Sequence, residues 1–404
     1  MLRDPAARAF SVTGVVARLP MSMFGLAILL AVTGSGGTYT RAGLAAGISL
    51  LGQAMGTPVQ ARLADRIGQR RMLLPLLVAH GVGLGTLIVV VDDAASGRLP
   101  FAVLGAAALI AGFTLPQIGP LVRVRWARLH TATPRLHTAF AWESVLDEVV
   151  FVVGPLLVVF LATGIHPLGG LVAIIVLALG GGSVFASLRA TEPPARRLRT
   201  RADREPLPVF TLTWMVVAFV FMGAIFGSVE VATVAFTEAL GAPAAAGPVL
   251  AVFAAGSLLA GLVVGAVHWK ATPRRRFVLG QGALAAAVLP LTFIGNIPLL
   301  FVAIFIAGFA ISPTLIAGFS MVEAEVPASR LTEGLAWAST ALSVGVALGA
   351  AVAGPVIDRV GASEAYLVAF GCGVLATIAC LAGVGLDRRG GLAIPSEPVT
   401  MGDS

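Results

Sequence analysis

Lysine is almost missing from this chain: Lys270 stands alone in 404 residues. No Gly-x-x-x-x-Gly spacing precedes it, so a Walker-type phosphate loop is excluded. No lysine lies inside an apolar stretch, so a retinal Schiff base is excluded as well. Neither His-Glu-x-x-His, nor paired Cys-x-x-Cys, nor Gly-x-Ser-x-Gly occurs, and therefore no metal, cofactor or enzymatic activity is expected. The two cysteines, Cys372 and Cys380, share one apolar run at a separation of ~12 Å along a helix, too far to bridge each other. Charge is scarce too. Only 12% of the residues are charged against 57% hydrophobic, with a mean hydropathy of +0.95. That leaves too little polar surface to cover a soluble globule of this length. The chain is read as an integral membrane protein.

Long apolar runs recur from near the N-terminus to Leu386, each close to the ~20 residues that cross a bilayer as a helix. The ~10-residue alternating segments of a membrane β-barrel are absent. The first run begins near Phe10 and leads directly into the next without a small-residue cleavage site, so it is expected to remain as the first helix. Breaks at charged, glycine and proline residues predict helices near 10–34, 41–61, 72–92, 100–122, 138–163 and 168–189. A second set is predicted near 209–238, 243–269, 276–295, 298–322, 331–356 and 363–386. The expected organisation is a first six-helix bundle over 1–190, an arginine-rich linker over 191–208, a second bundle over 209–388 and a tail over 389–404.

Short loops rich in Lys and Arg stay on the cytoplasmic side of a membrane. Arg62 to Arg71, Arg123, Arg125, Arg128, Arg135, the central linker, Lys270, Arg274 to Arg276 and Arg330 all fall on one side of the predicted topology. Only Arg41, Arg98 and Arg359 fall opposite. Both termini are thus expected in the cytoplasm. The net charge of +7 follows from that topology and from anionic lipid headgroups, not from nucleic acid. The halves also echo each other: Ala141-Trp142 with Ser144 recurs as Ala336-Trp337 with Ser339, an offset that also pairs Arg135 with Arg330 and Gly154 with Gly349. A second echo sets Gly265, Arg274 and Arg275 against Ala61, Arg70 and Arg71, with Trp269 and Thr272 in the places of Asp65 and Gly68.

A charge near the centre of a crossing costs ~2.5 to 3.5 kcal/mol on insertion scales, so each needs a partner or a task. In the fifth predicted helix, Glu143 and Asp147 share a face at ~6 Å rise, and Glu148 is turned ~100° from Asp147. Like charges in a low dielectric do not readily coexist, which makes Asp147 and Glu148 candidate proton carriers. The alternative is that these acids neutralise Arg18, at comparable depth in the first helix, or Arg123 and Arg125. Arg18 is read as a counter-ion to the fifth helix before an anion site. Glu230, in the outer half of the seventh helix, faces no evident cation on its own helix. Gly154-Pro155 in the fifth helix combines close packing with a lost backbone hydrogen bond, a pair suited to shaping an interface between the halves.

The run Ala61-Arg62-Leu63-Ala64-Asp65-Arg66-Ile67-Gly68-Gln69-Arg70-Arg71 resembles the loop between the second and third helices of major facilitator superfamily transporters. That family's pattern is Gly-x-x-x-Asp-Arg-x-Gly-Arg-Arg or Lys. Asp65, Arg66, Gly68, Arg70 and Arg71 match; Ala61 stands where the family has glycine and Gln69 replaces a basic residue. Gly154-Pro155 is similar to the Gly-Pro pair of drug-exporting members, although Leu156, Leu157 and Val158 follow instead of further glycines. The resemblance implies an all-α fold of twelve transmembrane helices in two pseudo-symmetric bundles, with a substrate cavity between them near the midplane. It also implies a cavity role for Glu230 and a cytoplasmic latch formed by Asp65, Arg66, Gly68, Arg70 and Arg71 that holds in one state of the cycle. The expected activity is proton-coupled efflux of a small apolar or amphipathic compound by a monomer in the bacterial inner membrane. Transport of sugars or metabolites, and a non-transporting sensor or scaffold, remain alternatives.

Overall fold

The computed structural model describes residues 4–130, 134–194, 209–266, 271–327 and 330–390. Every regular element among them is helical. The first half comprises α1 (Pro5–Gly34), α2 (Tyr39–Ile67), α3 (Gln69–Ala95), α4 (Phe101–Phe113), α5 (Ile118–Leu129), α6 (Pro134–Gly164) and α7 (Gly169–Ser187). The second comprises α8 (Val209–Ala239), α9 (Ala246–Ala266), α10 (Pro273–Val288), α11 (Ile297–Gly308), α12 (Ile311–Glu325), α13 (Leu331–Arg359) and α14 (Tyr366–Gly390). Most of the expected linker at 191–208 and of the tail at 389–404 lies outside the described residues.

Eleven of these spans are long and apolar enough to cross a membrane. The twelfth crossing, α2, has 29 residues but is diluted by glycines and amides. The cause is its position: α2 packs on α1, α3, α4 and α13, so much of it meets protein instead of lipid. Two predicted crossings are each a broken pair. The fourth divides into α4 and α5 around Leu115-Pro116-Gln117, where proline withholds a backbone donor. Gln60 of α2 mends the break: its amide donates to the carbonyls of Phe113 (3.1 Å) and Leu115 (3.0 Å), and its oxygen accepts from the Gln117 backbone (3.0 Å). The tenth divides into α11 and α12 at Phe309-Ala310, where the Thr314 hydroxyl takes up the Ala310 carbonyl (2.6 Å).

Lipid gives apolar helices no hydrophobic reason to associate, so close backbone packing does much of that work. Inside the second bundle, α8 and α13 lie so near that a methyl group on Gly223, Gly227, Gly345 or Gly349 would run into a carbonyl of the facing helix. Between the bundles the joints are α2 on α13 and α6 on α9. Gly43 faces the Ala350 carbonyl, Gly47 that of Ala347, and Gly354 the backbone of Tyr39 and Thr40, while Gly247 of α9 sits on Pro155, Leu156 and Val159 of α6. All of these contacts lie toward the end away from the arginine-rich loops. There a single apolar core joins Leu29, Ala46 and Val159 of the first bundle to Val231, Val234, Leu250 and Ala353 of the second. Toward the arginine-rich end each bundle keeps its own core, one around Phe10, Met72 and Trp126, the other around Trp214, Phe219 and Phe277. Among the described residues, the packing between the bundles is concentrated at the arginine-poor end.

Candidate functional site

The acids of α6 fall into two environments. Glu143 is fully buried and accepts from three donors: Ser11 Oγ at 2.7 Å, Trp126 Nε1 at 2.7 Å and an Arg18 guanidinium nitrogen at 2.5 Å. Arg18, 1% exposed, returns its Nε to the Gly14 carbonyl and gives its other terminal nitrogen to Asp147 at 2.7 Å. Arg123 reaches the second oxygen of Asp147 at 2.6 Å. Two carboxylates and two guanidinium groups therefore balance, with hydrogen bonds to satisfy the remaining lone pairs, which is the condition under which buried ions are tolerated. Asp147, a proton-carrier candidate from sequence, is held here by two cations.

Glu148, one residue on, is turned out of this cluster, half-buried and without a hydrogen bond or ion pair among the described residues. Glu230 of α8 is also half-buried and has no such partner among them. It lines a narrow cleft where the bundles meet, walled by Gly25 and Leu29 of α1, Ala46 and Leu50 of α2, Gly227 and Val231 of α8, and Val346 and Ala350 of α13. The free volume there, about 10 Å³, is that of one water molecule. Glu230 thus sits at the joint between the bundles.

Gly154 and Pro155 touch different neighbours. Gly154 abuts Ser22 of α1, whose hydroxyl donates to the Val150 carbonyl at 2.9 Å; the Pro155 carbonyl faces Gly247 of α9 in the other bundle. At the arginine-rich end, Gly68 turns the chain from α2 into α3 with φ +90°, a conformation suited to glycine. Asp65, Arg66 and Arg71 are exposed and Arg70 half-buried, and Asp65 makes no hydrogen bond or ion pair among the described residues. Gln69, in the place of a basic residue, is buried and bonds Arg125 Nε (2.8 Å) and the Leu121 carbonyl (3.2 Å). Arg125 also lies over the Phe185 ring at 3.8 Å. Glu192 accepts from the Arg70 backbone at 2.9 Å and so caps α3.

Sequence reasoning missed Gln60, Ser11, Trp126 and Glu192. Gln60 alone carried a signal, an amide in an apolar run; the partners of the others become visible only when separate helices are brought together.

Two helical bundles that meet on α2–α13 and α6–α9 contacts, with an acid-bearing cleft at the joint, have the architecture of a membrane transporter. The family profile described as Major Facilitator Superfamily matches residues 10–297 and, in a second match, 232–397, and the chain belongs to that family. No curated protein sequence matches it. The fold is shared with solved structures of low sequence identity. A bacterial homologue of the iron transporter ferroportin in an inward-facing state aligns with a TM-score of 0.72 at 12% identity, covering 94% of this chain and 98% of that one. The same kind of homologue in an outward-facing state aligns at 0.61 and 14%, covering 94% and 99%. The nucleoside transporter NupG aligns at 0.67 and 14%, covering 95% and 99%.

Proposed function

We propose that this protein is a proton-coupled secondary exporter of a small apolar or amphipathic compound, working by alternating access in a bacterial inner membrane with both termini in the cytoplasm. The observation that carries the reading is Glu230: a carboxylate with no cation partner among the described residues, placed where four helices from both bundles meet. An intramembrane acid that no guanidinium neutralises is free to take and release a proton, and its charge state alters the cost of closing the apolar walls around it. Glu148 serves as the second proton site. Arg18, Glu143, Arg123 and Asp147 hold α1, α5 and α6 together as a fixed charge cluster.

The rest of the cleft wall is glycine, alanine, valine and leucine, without the amides and aromatic rings that bind sugars, and this favours an apolar cargo. In the present conformation the arginine-rich, cytoplasmic end is open; Asp65 engages only when that end closes, which is the latch role given to Asp65, Arg66, Gly68, Arg70 and Arg71. The better fit to the inward-facing ferroportin homologue supports that assignment of state.

The test begins with a panel of amphipathic compounds screened for a rise in Tm. Hits are then carried into proteoliposomes with an entrapped pH dye. Compound-dependent proton movement is expected in the wild type, to be lost in Glu230→Gln and reduced in Glu148→Gln. Proton movement that survives both substitutions rejects the site, and binding without any proton movement rejects the coupling.

A further inference from the structure

Where α6 and α7 run side by side at the arginine-poor end, the first bundle carries a groove of about 610 Å³. Its cause is side-chain size. Gly169 and Ala173 of α7 place almost nothing between Leu157 and Leu161 of α6 and Ile88 of α3, and Gly169 lies on the Leu161 carbonyl, so the helices touch at their turn and leave room beneath it. Among the described residues everything that lines the groove is apolar except His166. The groove is separate from the joint between the bundles. Pro155, Leu156 and Val159 meet Gly247 of α9 on one side of α6, and Leu157 and Leu161 face the groove roughly half a turn away around the helix. That outer side of a crossing helix is turned to the bilayer.

From Leu168 to Leu177 the groove follows α7 for about 14 Å. The hydrocarbon of one leaflet is ~15 Å deep, so the slot spans a leaflet from its surface to the midplane. Its mouth has the opposite character. At the turn between α6 and α7 the Leu168 backbone N–H donates to His166 Nδ1 (3.2 Å), which leaves the proton of a neutral imidazole on Nε2. That nitrogen has no partner among the described residues, and the ring is exposed. No side chain caps α7, so the partly positive end of that helix stands at the same level. An N–H donor and a helix N-terminus at the membrane surface complement a phosphate, and the apolar slot below them complements a hydrocarbon chain. A phospholipid carries both.

We propose that this groove seats one phospholipid of the leaflet on the arginine-poor side, with an acyl chain between α3, α6 and α7 and the phosphate held by His166 Nε2 and the first turn of α7. The occupant is a lipid and not the transported compound, because the groove lies on the side of α6 turned away from the other bundle. The seat requires only that this fold cross a bilayer and is independent of the ion or compound carried. A chain wedged against the outer face of α6 supports that helix where its inner face bears on Gly247 of α9.

The experiment titrates a phosphatidylglycerol bearing a diazirine midway along one acyl chain into the full-length protein in maltoside micelles, followed by irradiation and peptide mass spectrometry. Leu161 and Leu177 are expected to be labelled saturably, and Leu177 more heavily than Leu375 of α14, which is comparably far from its helix start and more exposed. Ala173→Phe is expected to abolish the saturable labelling and spare that of Leu375; should it fail to fold, Ala173→Leu is expected to weaken the labelling in the same way. His166→Ala is expected to raise the half-saturating concentration about tenfold, the worth of one hydrogen bond to a charged group. A diacylglycerol with the same diazirine chain and no phosphate is expected to bind the wild type more weakly and to be indifferent to His166→Ala. Labelling that never saturates, that follows exposure between Leu177 and Leu375, or that persists in the filled groove overturns the seat, and equal binding of the two lipids overturns the phosphate contact. Displacement of the label by a compound that raises Tm assigns the groove to cargo and overturns the lipid as its occupant.

Discussion

Arg18 sits in the first bundle with almost no exposure, and its buried charge is offset by the pair of acids on α6. Its loss would leave Glu143 buried with only Ser11 and Trp126 as donors, a hydroxyl and an indole against a full negative charge. Breaking a buried ion pair from one side costs about 3 to 5 kcal/mol. Arg18→Met is therefore expected to lower thermal stability by about that amount, and adding Glu143→Gln to recover much of the loss, since Asp147 keeps Arg123. Melting curves of the two variants in one detergent check this; equal damage in both would show that packing, not charge, is what Arg18 supplies. Gln60 makes a parallel case without charge. Gln60→Leu strands the carbonyls of Phe113 and Leu115 and the backbone donor of Gln117 in the membrane interior. Each unsatisfied group costs about 1 to 3 kcal/mol, so the variant is expected to melt well below the wild type, whereas Gln60→Glu, which keeps only the acceptor, falls between. Of these residues Arg18 is legible in the sequence because charge in an apolar run is conspicuous. The partners of Gln60 are not, since nothing local announces that a proline on another helix has freed three backbone groups.

Helices that pack within a bundle and helices that meet across the bundles use the same glycine contacts, but the consequences of filling them differ. A side chain at Gly345 would collide with the Val220 carbonyl in its own bundle, where α8 and α13 have no freedom to separate. A side chain at Gly43 would collide with the Ala350 carbonyl of the opposite bundle, which the proposed alternating access lets move away. Gly345→Val is thus expected to reduce Tm and yield, by about 1 to 3 kcal/mol of overpacking strain. Gly43→Val is expected to keep a near-native Tm while opening the arginine-poor end, read as increased labelling of a cysteine placed at Ala46 from that side of the membrane. A Gly43→Val protein that melts like Gly345→Val, with Ala46→Cys still protected, would show that the joint is a rigid one. At this scale the sequence is readable in the number and order of helices, because each long apolar run has one physical outcome in a bilayer. It is not readable in the breaks of the fourth and tenth crossings, where Pro116 and Gln117 interrupt the apolar run too briefly to end it and Phe309-Ala310 is apolar throughout. Hydropathy marks α2 more weakly than the other crossings, because it is buried against protein on several sides, yet the helix predicted near 41–61 is present as Tyr39–Ile67.

As a whole the molecule is a pair of bundles meeting on an apolar joint, with Glu148 and Glu230 lacking an ion pair among the described residues and arginines massed at one end. The charge asymmetry and the weak internal repeat are legible from composition and spacing alone, because topology and duplication leave marks along the chain. Which acids are neutralised is not, since Asp147 and Glu148 are adjacent in sequence and differ only in the direction they face; a quarter-turn of helix separates a clamped group from an unpartnered one. That difference bears on energetics. If one proton enters for each neutral molecule expelled, one charge crosses per cycle, and 100 mV supplies ~2.3 kcal/mol. At ~1.4 kcal/mol per tenfold ratio this sustains roughly a 40-fold gradient of the compound. In proteoliposomes at equal pH on both sides, a potassium diffusion potential of that size is expected to drive a neutral hit compound toward such a ratio. Clamping the potential to zero should return the ratio to one, and Glu230→Gln should fail to build it at any potential. An export ratio indifferent to potential would mean that the expelled molecule itself carries a positive charge in exchange for the proton, and the apolar walls around Glu230 would then be the binding site of a cation.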